Sequence, residues 1–224
     1  MIAQVPTMSV GMVVASIEPG SRASKRGRAR VRARGERMQS DPLPRTIGRV
    51  VLRRLALADL RRFQAYRHDP DVSRYQDWEP QPDHEAARFI EEMSQIDLFP
   101  RTEWFQLGIA FGSTDELVGD AGVCVGADDR AEVGFTMARE AQGRGLGTEA
   151  VRGLIEFIFE LTDVTEIVAV TDERNIPAGR LLERVGMRNV EAVHTTFRGE
   201  PCVEHVWRIS RAAALELGRE RSER

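Results

Sequence analysis

The chain has 224 residues, 42% of them apolar and 30% charged, with a net charge of −3. That length suits one domain of ordinary size with residues to spare, and no run approaches the ~18 apolar residues of a membrane span, so a cytoplasmic protein is expected. Cys124 and Cys202 lie far apart in strand-like stretches, and His68, His84, His194 and His205 form no ligand cluster, so the thiols read as small buried residues and no metal site is expected.

The charge is unevenly spread. Residues 1–41 hold eight basic groups against Glu18, Glu36 and Asp41, a net of +5 that leaves −8 for the rest. An acidic body argues against nucleic acid as a partner. The first 44 residues show no core-forming pattern and are expected as a basic, disordered extension. The apolar stretch 8–17 precedes its positive charges, the reverse of a signal peptide. An organelle transit peptide over residues 20–37 and a true start at Met38 are the alternatives.

Order begins near Arg45. Residues 47–54 read as a first strand, after which Asp59 is placed to cap a helix that Asp69-Pro70 stops. A loop with Tyr75 and Trp78 follows, then a second helix opened by Pro82 and carrying Ala86, Phe89, Ile90 and Met93 at helical spacing. Phe105, Leu107, Ile109 and Phe111 alternate as in a half-buried strand, residues 117–125 return as its partner, and residues 131–138 make a third strand. Past a glycine-rich loop, Val151, Leu154, Ile155, Ile158 and Leu161 predict one buried helix face, with Arg152 and Glu156 paired on the wet side. Residues 167–171 form a further strand. Pro177 lies in the first turn of a helix ending at Gly186, and two last strands flank residues 198–201. The order β-α-α-β-β-β-α-β-α-β-β predicts an α/β (α+β) domain over residues 45–210. Its mixed, mostly antiparallel sheet has about seven strands and helices on both faces, with a charged tail over residues 211–224.

The loop reads Gln142-Gly143-Arg144-Gly145-Leu146-Gly147-Thr148 at the mouth of a helix. A helix start offers free N–H groups and the positive end of its dipole, and glycines remove the side chains that would keep an anion out. Residues 145–150 also satisfy the dinucleotide fingerprint G-x-G-x-x-G/A. That fold needs the first glycine at the end of the first strand of a βαβ unit and an acid about 20 residues on. Here three antiparallel-looking strands come first, and Asp172 is 27 residues on. A P-loop fails because no Gly-Lys-Ser/Thr closes the run; a purely structural turn is the remaining alternative.

Residues 139–148, followed by Asn175-Ile176-Pro177-Ala178 and by residues 182–187, resemble the coenzyme A loop and the next motif of the GNAT acetyltransferase superfamily. The resemblance covers residues 45–210 and is nearest the ribosomal-protein alanine N-acetyltransferases, on residues 51–53, 68–72 and 131–135. It implies that backbone amides from Gln142 to Thr148 cradle the pyrophosphate of acetyl-CoA. It implies too that the strand before them splays, so that Phe135 and Met137 pair with the pantetheine arm while Asn175 holds its far side. The implied reaction is attack of a neutral amine on the thioester; Glu132, on the glycine-bearing strand, is the candidate base, acting directly or through water, with an exposed strand carboxylate as the alternative. Leu182 stands where family members often place a tyrosine acid, and Ala178 lacks a hydroxyl some of them carry, so no general acid transfers.

A site with one base and no tyrosine suits an amine of low pKa, such as a protein N-terminal α-amine or a small-molecule amine. Tyr75, Trp78 and Trp104 are candidates to line the acceptor cleft, and Asp77, Glu79 and Asp120 to attract a cation. The alternative reading is a non-catalytic acyl-CoA-binding regulatory module. Either a monomer or a homodimer is compatible with the chain, and no membrane partner is expected.

Overall fold

In the computed structural model, which describes residues 41–223, eight strands and six helices build an open, twisted sheet. The expected extension, up to residue 40, lies outside the described residues. In chain order the elements are β1 (Arg45–Ile47), β2 (Val50–Arg54), α1 (Leu60–Arg67), α2 (Pro70–Ser73), α3 (Asp83–Gln95), β3 (Trp104–Phe111), β4 (Glu116–Val125) and β5 (Arg130–Met137). They continue as α4 (Leu146–Leu161), β6 (Glu166–Asp172), α5 (Ile176–Arg184), β7 (Arg188–Phe197), β8 (Glu200–Ser210) and α6 (Arg211–Ser222). The strands lie in the order β1-β2-β3-β4-β5-β6-β8-β7, antiparallel throughout except for β5 and β6. A parallel pair needs a crossover, and α4 supplies it.

Helix α4 covers one face of the sheet and buries Val151, Leu154, Ile155 and Ile158. Helices α1 and α3 cover the other with Phe63, Tyr66 and Ile90. The predicted α/β fold with helices on both faces is the observed one, and several local expectations are corrected. The stretch 47–54 is not one strand: Gly48 takes a left-handed φ of 56°, and the chain folds into a hairpin that adds the eighth strand. Asp59 does not cap α1. Its carboxylate accepts the Ala56 N–H at 2.8 Å and pairs with Arg53 at 2.8 Å. Asp69 and Pro70 end α1 and also start α2, because the Asp69 carboxylate accepts the Asp71 N–H and Pro70 occupies the first turn.

Leu161 is 42% exposed, and Arg152 does not pair with Glu156. Glu156 instead meets Arg221 of α6 at 2.7 Å. The stretch read as a charged tail is this helix, capped by Ser210 and anchored by Arg211, whose Nε donates to the Val164 carbonyl at 3.0 Å. Cys202 is buried and Cys124 half-buried, both with free thiols.

Asp120 is also corrected. It is only 1% exposed on β4, where it accepts hydrogen bonds from the Tyr66 hydroxyl and the Gln106 amide and pairs with Arg67 at 3.3 Å. Such a carboxylate is spoken for and holds α1 to the sheet. Removing one member of a buried, hydrogen-bonded pair leaves the other charge stranded, at a cost of about 3–5 kcal/mol. Asp120→Ala should lose stability of that order in denaturant unfolding; a change within about 0.5 kcal/mol, the range of ordinary surface substitutions, would contradict the assignment.

Candidate active site

Strands β5 and β6 are paired only from Arg130 to Glu132, against Glu166 to Val168. Beyond that they part, although each keeps a long antiparallel partner on its other side. The gap opens a cavity of about 990 Å³, large enough for a cofactor-sized ligand. The N–H of Ala138 bonds to Val118 of β4, so by strand alternation the backbone groups of Val133, Phe135 and Met137 face away from β4 into the gap. Two side-chain amides reach those carbonyls: Gln142 donates to Met137 at 3.0 Å and Gln76 to Phe135 at 3.5 Å.

The glycine loop closes one end of the cavity. Gly143 and Gly145 have φ of 69° and 80°, left-handed values that favour glycine, and Gly145 is the N-cap of α4. The first helical bond there runs from Glu149 N–H to the Gly145 carbonyl. The amides of residues 143–148 therefore find no acceptor among the described residues. A run of free N–H groups at a helix start is an anion receptor. Gly147 serves packing: a Cβ there would sit 2.9 Å from the Leu181 side chain on α5.

The loop is clamped from the β1–β2 turn. Arg49 donates to the Arg144 carbonyl at 2.8 Å and to both sides of Glu149: its backbone N–H reaches Oε2 at 2.8 Å and its Nε reaches Oε1 at 2.9 Å. Arg49 holds the Glu149 carboxyl below the usual range. No residue spacing marks this contact, which spans 95 residues.

At the other end of the gap lies Glu132. No cation among the described residues pairs with it, and burial, helped by the charge of Glu204, raises its carboxyl to about 7. Glu204 on β8 and Asp77 after α2 also line the cavity, and burial raises both. Glu204 could not have been found from the sequence. It reaches the site because β8 inserts beside β6, opposite Asp172. The hairpin turn Arg198–Gly199 reaches back, with Arg198 donating to the Gln76 carbonyl at 3.1 Å, and so ties β7 and β8 to the segment carrying Asp77.

Of the residues singled out in the sequence, Glu132, Phe135, Met137, Gln142, Gly143, Gly145, Gly147, Thr148, Asn175 and Tyr75 line this one cavity. Arg144 and Leu146 turn their side chains elsewhere, the first over the Phe111 ring and the second into the core, so only their backbone amides are available. The Asn175 side-chain oxygen caps α5 by accepting the Ala178 N–H at 3.3 Å, which leaves its amide NH₂ for a ligand. Trp78 does not line the cavity: the Arg67 guanidinium lies 4.5 Å from its ring. Trp104 and Glu79 are likewise outside it, and Leu182 is fully buried. Among the described residues no cluster of His, Cys, Asp and Glu has the makings of a metal site, and no helix is long and apolar enough to cross a membrane.

Arg49→Ala should raise the KM for the donor about tenfold, the cost of one or two charge-assisted hydrogen bonds, with kcat within about twofold. An unchanged KM in steady-state kinetics would show that the loop holds its shape without the clamp.

Comparison with known proteins agrees with this geometry. A family model described as an acetyltransferase (GNAT) domain matches residues 49–188. The N-acetyltransferase p20 of Bacillus licheniformis is 30% identical over 142 residues, covering 62% of this chain and 79% of that protein. Spermidine N-acetyltransferase from Vibrio cholerae, solved with coenzyme A and spermine, superposes with a TM-score of 0.65 at 17% identity, over 75% of this chain and 98% of that one. RimL, a ribosomal L7/L12 α-N-protein acetyltransferase solved with coenzyme A, gives 0.63 at 11% identity, over 73% and 94%. At those identities the structures speak for the fold; the family model and p20 speak for descent, and the chain belongs to the acetyltransferase (GNAT) family.

Proposed function

We propose that the protein transfers the acetyl group of acetyl-CoA to a primary amine within the gap between β5 and β6. One observation carries this reading. The gap has an amide nest at one end and a half-buried carboxylate at the other, neither with a partner among the described residues. The amides of residues 143–148 bind the pyrophosphate. The pantetheine arm lies along β5 like an added strand, bonded to the gap-facing groups of Phe135 and Met137, with the Asn175 NH₂ opposite. For the Met137 carbonyl to take part, the Gln142 side chain has to give way.

The acceptor enters from the end lined by Asp77, Glu132 and Glu204 as an ammonium ion, the charge those carboxylates favour. Glu132 removes one proton, and the neutral amine attacks the thioester carbon. A gap-facing N–H of β5 stabilises the oxygen of the tetrahedral intermediate. The nitrogen then gives its second proton to solvent as the C–S bond breaks and the amide forms, and Glu132 afterwards returns its own proton to solvent. Coenzyme A departs as a thiolate, whose unperturbed pKa of about 8.5 asks for little acid help, and takes its proton from solvent. Leu182 is buried where an acid would be looked for, which fits that route.

A carboxyl near 7 matches an α-amine of pKa about 7.7–8.0, which costs about 1 kcal/mol to deprotonate at pH 7. A lysine near 10.4 costs about 4–5 kcal/mol. The reading therefore favours a protein N-terminal α-amine or a small amine of similarly low pKa. Acetyltransferases of similar fold are named for a small-molecule amine, spermidine, and for the α-amine of a ribosomal protein.

Glu132→Gln should lower kcat about 10²–10⁴-fold and abolish the rise in kcat/KM through pH 7, leaving only the titration of the amine. A parent-like pH profile would exclude Glu132 as the base. The same variant has a stability signature. A carboxyl raised in the folded state makes that state bind more protons, so the cost of burying it grows from about pH 4.5 to 7. The variant should then melt above the parent at pH 8 and level with it near pH 4; equal melting at both would mean that Glu132 is solvated.

A further inference from the structure

The cavity's charges are divided, and those beside the glycine loop are not used by the reaction. Arg180 and Arg184, four apart and so on one side of α5, line the cavity together with Arg152 of α4. None of the three makes a hydrogen bond or ion pair with any described residue, and the Nε of Arg152 is buried without a partner. By contrast, Arg49, Arg139 and Arg174, at the same cavity and its margins, are each bonded to carboxylates. Nearby acids are already engaged, Glu149 with Arg49 and Glu156 with Arg221, although Glu149 still feels Arg152 electrostatically.

Position indicates what the three are for. Thr148 belongs to the amide nest, and Arg152 lies one turn further along the same side of α4, about 6 Å on. Helices α4 and α5 pack closely here, as the contact of Gly147 with Leu181 shows, so the guanidinium of Arg152 and those on α5 border one cleft. A ligand whose pyrophosphate occupies the nest carries its adenosine beyond it. In coenzyme A that ribose bears a further phosphate, a dianion of the shape that guanidinium groups bind in pairs.

We propose that Arg152, Arg180 and Arg184 form a second anion subsite for the 3′-phosphate of coenzyme A, and that the protein thereby distinguishes coenzyme A from dephospho-coenzyme A. The proposal rests on the assignment of acetyl-CoA as donor. It gives the arginines a role separate from the glycine loop, which sees only the pyrophosphate common to both molecules.

Titration calorimetry of the full chain with coenzyme A and with dephospho-coenzyme A tests it. The parent should prefer coenzyme A by roughly tenfold or more. The double variant Arg180→Ala/Arg184→Ala, whose side chains are exposed and whose fold circular dichroism can check, should lose that preference. Its affinity for dephospho-coenzyme A should stay within about twofold of the parent's. Arg152→Met should reduce the preference in the same ligand-selective way. Equal affinity of the parent for both ligands, or an equal loss of both in the variants, would overturn the subsite. Binding of neither ligand by the folded parent would overturn the donor assignment instead.

Discussion

The site depends on a strand pairing that stops early. Strands β5 and β6 run parallel through three residues and then separate, and almost everything proposed for the protein happens in the space they leave. The separation is sustainable because neither strand depends on the other. Strand β5 is zipped to β4 from Gly119 to Val125, and β6 to β8 over its whole length. Unpaired backbone groups inside a sheet are costly unless something satisfies them. Here Gln142 and Gln76 cover two of the carbonyls. A ligand with its own amide groups satisfies them in another way, which makes the opening a recognition surface as well as a vacancy in the sheet.

The two ends of that opening have opposite chemistry. At the helix end, free amides and unpaired arginines favour phosphates; at the other, Glu132, Glu204 and Asp77 favour a cation. On the proposed reading, a polyanionic donor and an ammonium acceptor are drawn to opposite ends and meet at the thioester. Burial that raises Glu132 to about 7 also suits it to the proposed role of a base that holds the proton it removes. On that reading the same crowding of carboxylates serves both attraction and catalysis.

The fold was largely legible in the sequence because its signals are local. Period-two alternation marked β3, helical spacing marked α3 and α4, and the left-handed glycines marked the loop. What was missed depended on distant partners. Read alone, residues 211–222 are a charged stretch; they become a helix because Arg211 reaches the carbonyls that end α4 and precede β6. Asp120, read alone an acid able to attract a cation, is instead bonded by Tyr66 and Arg67, which the fold brings over it. Trp78 looked like a cleft aromatic, and Arg67 instead occupies its ring. Glu204 and Arg49 join the site through pairings of strands and turns far apart in the chain, which no residue spacing records.

The central claim, that the parted strands receive the donor, is tested most directly by amide hydrogen exchange with and without coenzyme A. Binding should slow exchange at residues 143–148 and at Val133, Phe135 and Met137, while Thr136, already bonded to β4, and the hairpin β1–β2 change little. Protection confined to the glycine loop, with the gap-facing amides of β5 unaltered, would contradict the account.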